Sequence, residues 1–207
     1  MTTMRSPWDA GGGRPARLLG WCAVVAIGLM AAGCSPWRVV QRSGPPSALK
    51  GAKAVSVAYD DSGMTVHGIW GWSPIQVYRG KMNETQRKKF EDVVANANKS
   101  LFAGLHAGLP GVKTSQATGK AAADEVRVTF KHLRLRQGKF AVVFAVPTEM
   151  NVQAVWSVGD RVVDIIQVAT SVESTITTPS IHQRVSMASR RLGGWTANFF
   201  NKIQQGK

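Results

Sequence analysis

The chain beyond residue 50 switches between two hydrophobic periods. Residues 52–59 alternate small or apolar with polar positions, which predicts a strand closed by Asp60-Asp61-Ser62-Gly63. The stretch 64–80 reads either as two short strands or as a long loop. From Asn83 the period becomes helical. Phe90, Val93, Val94, Ala97, Leu101 and Leu105 form one apolar stripe, Asn83 and Gln86 stand at capping-box spacing, and Gly108-Leu109-Pro110-Gly111 ends the run. Residues 113–123 read as a loop.

A β-rich block follows. Val126, Val128 and Phe130 share one phase and Arg127, Thr129 and Lys131 the other. Leu133 and Leu135 then fall out of phase, which predicts a bulge at Lys131-His132. Phe140–Val146 is apolar on both faces and reads as a central strand stopped by Pro147. Asn151–Val158, the Gly159-Asp160 turn and Arg161–Glu173 read as a hairpin. Ile181, Val185, Ala188, Leu192, Trp195, Phe199 and Ile203 recur every three or four residues and predict a last helix, with Thr178 as its cap and Pro179 in its first turn. Gly193-Gly194 interrupts that stripe, fitting a kink or a close crossing by another element. The order predicts an α+β fold: an antiparallel sheet of about four to six strands with two long helices on one face, after a signal peptide.

The N-terminal region differs in kind. Arg5, Arg14 and Arg17 precede an uncharged run, Leu18–Gly33, shorter than the roughly 20 residues of a membrane span. A positive start, a short apolar middle and small residues at its end make a secretory signal. Ala31-Ala32-Gly33-Cys34 resembles the lipobox of bacterial lipoproteins, with Ala31 where that family favours leucine. The resemblance implies cleavage after Gly33 and a diacylglycerol and acyl chain on Cys34, with no other cofactor. Ser35, in place of the aspartate that commonly retains such lipoproteins at the inner membrane, implies the periplasmic face of the outer membrane; the inner membrane stays open. The chain then divides into a signal peptide (1–33), the lipidated cysteine with a flexible tether (34–52), and one periplasmic domain (53–207). Residues 35–52 hold Ser43-Gly44-Pro45-Pro46-Ser47, and extended they could span about 60 Å.

Charge changes the picture next. The formal net charge is +14, nearly all of it beyond residue 33. Such a charge speaks to partners rather than to fold. Arg127, Lys131, Arg134, Arg136 and Lys139 concentrate on one strand and its turn, either a docking face for anionic lipid or an acidic partner, or the solvated side of a half-buried strand. Arg184, Arg190 and Arg191 add charge on the last helix. Trp70 and Trp72, set among glycine and proline, are candidates for a membrane or partner loop, or fold over their own core. Nucleic acid is disfavoured, because the basic strand lacks interleaved aromatics for base stacking.

Catalytic and metal signatures are absent from the pattern. His67, His106, His132 and His182 have no ligand spacing, and there is no HExxH, CxxC, Gly-x-Ser-x-Gly or P-loop. The reading is therefore not an enzyme and no metal. The lipobox, a Pro-containing segment and the strand, long helix, meander and terminal helix resemble small envelope lipoproteins, including auxiliary lipoproteins of ABC-type transport systems. That resemblance implies a lipid-anchored accessory or scaffold that contacts a transport or assembly complex, or anionic lipid. Two other readings stay open: an envelope hydrolase acting on glycan or lipid, and a lipid-carrying module with a cavity between helices and sheet.

Overall fold

The computed structural model describes residues 36–44, 47–68, 71–140, 145–175 and 180–206. In chain order the strands are β1 (Trp37–Gln41), β2 (Ala54–Asp60), β3 (Thr65–Gly68) and β4 (Gly71–Pro74). Helices α1 (Ile75–Gly80) and α2 (Glu84–Gly108) come next, then β5 (Lys113–Gln116), β6 (Val126–Arg136), β7 (Lys139–Phe140), β8 (Ala145–Val146), β9 (Thr148–Val158), β10 (Arg161–Val172) and α3 (Ile181–Gln204). The fold is α+β, with the two long helices on one face of an 8-stranded sheet ordered β1-β10-β9-β6-β2-β5; β3 joins the free edge of β6, and β4 pairs with β3.

The sheet is mixed, not antiparallel, and larger than expected. β6-β9-β10-β1 is antiparallel, but β2 runs parallel to both β5 and β6, and β3 runs parallel to β6. The long helix α2 is the reason. It carries the chain back along the sheet, so the strands after it point the same way as β2. β2 and β3 follow one another along the same edge of β6: Ser56–Asp60 pair with Arg127–Lys131, and Thr65–His67 pair with Arg134–Arg136.

Three further expectations need correction. Phe140–Val146 is not a central strand: Lys139 and Phe140 pair with Val146 and Ala145 in a separate two-stranded hairpin, and 141–144 lie outside the described residues. Within 113–123, Lys113–Gln116 is an edge strand too polar to announce itself. The segment read as a flexible tether is largely ordered. Trp37–Gln41 pairs with β10, Asp164 accepts hydrogen bonds from Ser43 N–H and Ser47 Oγ, and Leu49 is wholly buried. A tryptophan and two valines favour a strand, and the buried Asp164 carboxylate requires the donors that this segment supplies.

The core lies between sheet and helices. Val128, Phe130, Val152, Ala154, Trp156, Ile166 and Val168 face Phe90, Leu101, Leu105, Leu192 and Phe200. α2 starts with the expected capping box: the Asn83 side chain accepts from Gln86 N–H, and the Gln86 side chain accepts from Asn83 N–H. α3 starts at Ile181 with Ser180 as its N-cap; Thr178 and Pro179 lie outside the described residues. Gly193-Gly194 does not break α3. A Cβ on Gly193 would collide with the Leu101 carbonyl oxygen and one on Gly104 with that of Arg190, so the glycines let the helix backbones touch. Among the described residues, no helix is long and apolar enough to cross a membrane.

Candidate functional site

The sheet face away from the helices holds the expected cationic strand. Register across β6 and β9 lays its side chains in rows: Arg127 with Ser157, Lys131 with Gln153, Arg134 with Asn151, and Arg136 with Glu149. The slip anticipated near Lys131-His132 falls between His132 and Arg134. It returns Leu135 to the core and puts Arg134 and Arg136 on the outer face.

The five cations are not equivalent. Arg127 is mostly buried, 3.0 Å from Glu125, and also donates to the Gly119 carbonyl. Ser56 Oγ donates to the same Glu125 carboxylate. That hydroxyl, the Ala122 N–H and Arg127 hold Glu125 down to about 2. Arg127 is thus committed within the fold. Arg136 pairs with Glu149 at 2.9 Å, while its Nε, buried, has no hydrogen-bond partner among the described residues. Lys131 and Arg134 are exposed and make no ion pair among the described residues. The Lys139 side chain lies outside the described residues.

Trp72 joins this group, which the sequence treated as a separate candidate. The β3–β4 hairpin sets Trp72 opposite His67, and β3 sets His67 opposite Arg136. The Trp72 ring, with the residue 44% exposed, has the Arg134 guanidinium 5.6 Å and the Arg136 guanidinium 5.7 Å from its centroid. His67 meets it edge-on at 5.0 Å. Two cations on one indole are held by the negative potential of the ring face. Beside them a cleft of about 370 Å³ is bordered by Trp72, Arg134, Glu149, Asn151 and Ser171. It combines an aromatic wall, the Arg134 guanidinium and short polar groups with one carboxylate, Glu149, already paired to Arg136, a chemistry suited to a carboxylate-bearing segment. Trp70 lies outside the described residues, as do Gly33 and Cys34.

The remaining expected groups sit elsewhere. Arg184 is buried on the helix side, where its Nε donates to Thr148 Oγ1 and burial pushes its pKa down. It does not belong to a docking face, and Arg190 and Arg191 lie on the helix layer. His132 is buried under α2; its Nε2 lies 2.9 Å from Asn98 Oδ1, and burial lowers its pKa to about 4. His106 Nδ1 is 2.6 Å from Thr114 Oγ1 at the surface. Among the described residues, no cluster of three or more His, Cys, Asp or Glu could hold a metal ion. The space between helices and sheet, where a lipid carrier needs its cavity, is filled by wholly buried Trp156, Phe130, Phe200, Leu101 and Leu105. A second cleft, of about 540 Å³, lies between the start of β2 and β5, bordered by Lys53, Ser56, Gln116 and Glu125.

No family model and no curated protein matches the chain. Among solved structures, a PelC dodecamer from Paraburkholderia phytofirmans is similar at 14% identity with a TM-score of 0.41, over 76% of this chain and 97% of that one. A Xanthomonas campestris protein of the DUF330 family is similar at 11% identity with a TM-score of 0.37, over 82% of this chain and 97% of that one.

Proposed function

We propose that this chain is a lipid-anchored accessory protein of the bacterial envelope whose open sheet face docks an acidic segment of a partner protein. Cleavage after Gly33 and acylation of Cys34 would hold it at the membrane, facing the periplasm. Ser35 favours the outer membrane over the inner. The partner would be a subunit of a transport or assembly complex.

One observation carries the docking reading: Trp72 exposed between Arg134 and Arg136 on a face that neither long helix covers. Aromatic and arginine side chains set together are the usual anchors of protein interfaces. The nearby positive charge selects an acidic partner and speeds its encounter. The hydrolase reading has less support, because the hydrogen-bond partners of the buried His132 and the surface His106 are an amide and a threonine hydroxyl.

Crosslinking in living cells, followed by purification of the tagged protein, tests this. Wild type should yield a defined envelope complex, with crosslinks on β3, β4 and β6 joining an acidic stretch of the partner. Cys34→Ala should move the protein to the soluble fraction and reduce recovery. The double variant Trp72→Ala/Arg134→Glu should stay in the membrane and lose the crosslinks. Retention of the same crosslinks by the double variant would refute the docking face.

A further inference from the structure

The acidic residues of the described chain all lie between Asp60 and Glu173; residues 36–53 and 174–207 contain none. The fold brings these two acid-free segments together. Trp37 of β1 packs edge-on against Phe199 of α3 at 6.2 Å, with Lys202 Nζ 4.8 Å from the Trp37 ring centroid. Gly51 N–H donates to Gln204 Oε1 at 2.7 Å, and Gln204 Nε2 donates to the Leu49 carbonyl at 2.7 Å. Arg191 reaches the Ser171 carbonyl at the edge of β10. Arg38, Lys50, Arg191 and Lys202 are exposed here. So are Val39 and Val40, at 42% and 51%. This flank is basic with apolar side chains between the charges; the carboxylates beside it are Asp164, wholly buried and held by Ser43 and Ser47, and Glu173, just past the end of β10.

Chain length makes the flank specific. Only Ser35 and Pro36 separate Cys34 from β1, so Cys34 can stand no more than about 11 Å from Trp37. At physiological salt the electrostatic reach of a charged surface is about 8 Å. We infer that the β1–α3 flank lies against an anionic phospholipid surface, a conclusion that rests on lipidation of Cys34. The anchor brings the flank to the headgroups, and the basic side chains fix which way the domain turns. Basic residues near an anionic leaflet are each worth about a fivefold gain in binding. Trp72 sits five strand spacings from β1, about 24 Å away across the sheet. The orientation therefore leaves the Trp72 wall of the docking cleft clear of the bilayer, while its Ser171 wall lies on β10 beside the flank.

The test uses the full chain, purified from membranes and reconstituted into phosphatidylcholine vesicles with or without phosphatidylglycerol. Amine acetylation is followed residue by residue by mass spectrometry. Lys50 and Lys202 should react at least about threefold more slowly on anionic vesicles, and raised salt should abolish the difference. Lys88, Lys120 and Lys131 should react equally on both. The intact mass reports separately on Cys34. A chain without lipid would overturn the anchor and this orientation together. A lipidated chain whose Lys202 reacts equally on both vesicles, or whose Lys88 and Lys120 are protected as strongly, would overturn the orientation and leave the anchor standing.

Discussion

Adjacent glycines at 193 and 194 in α3 should respond in opposite directions to one added methyl group. Each glycine costs the helix about 1 kcal/mol relative to alanine, so replacement begins with that gain. At Gly194 the nearest foreign atom to a new Cβ is the Gly104 carbonyl oxygen at 4.0 Å, and the gain is kept. At Gly193 the new Cβ would collide with the Leu101 carbonyl oxygen and come within 2.8 Å of Leu105 N. Those atoms belong to the backbone of α2 and cannot rotate away. The helices must separate, loosening the contacts of Leu101, Leu105, Leu192 and Ala197, all buried in the shared core. Overpacking of this kind costs about 1–3 kcal/mol even where side chains can adjust, and rigid backbone puts it at the upper end. Gly194→Ala should therefore raise unfolding free energy by about 0.5–1 kcal/mol, and Gly193→Ala should lower it by about 1–2 kcal/mol after the helical gain. Urea denaturation followed by circular dichroism reads both, with the dependence on urea unchanged. Equal stabilities, or a Gly193→Ala variant more stable than Gly194→Ala, would refute the close crossing.

Acid should weaken the fold through His132. Its pKa is lowered from 6.5 to about 4 by burial, so the unfolded chain takes up the proton first; the stability is intact above about pH 6.5 and lost as pH falls towards 4, by up to about 3 kcal/mol. His132→Gln should flatten that part of the stability curve relative to wild type, and parallel curves would contradict the burial argument. Phe200→Ala, which removes a ring stacked 5.2 Å from that of Trp156, should cost about 3–5 kcal/mol in thermal or urea unfolding. Trp72→Ala, at the exposed cluster, should change the same measurement by less than about 1 kcal/mol, and a larger loss would make Trp72 a structural residue rather than a docking one.

Where a local rule decides structure, the sequence was readable. The Asn83–Gln86 box, the α2 and α3 stripes and the hairpin at Gly159 all depend on neighbours within a few residues. What could not be read depends on partners far along the chain. β1 becomes a strand because β10 offers it an edge, and the polar β5 because β2 does. The parallel pairing follows from where α2 delivers the chain. The candidate site was half legible: alternation placed Arg127, Lys131, Arg134 and Arg136 on a strand, and the pairing of Arg127 with Glu125 two residues away was local but went unread, whereas nothing local could show that Trp72 joins Arg134 and Arg136. That meeting is made by the register of β3 on β6.

The pairing of β1 with β10 also bears on how the chain folds. Ser43 and the Asp164 that holds it are 121 residues apart in sequence. Closing so long a loop is entropically unfavourable and slow, and folding rates fall as contacts become more distant along the chain. A chain emerging N-terminus first therefore exposes its first strand long before the partner strand exists. The segment beside Cys34 would stay extended and accessible during that interval, which is when the acylation and cleavage proposed above would require access to it. Docking of β1 would come late and would close off the processed end.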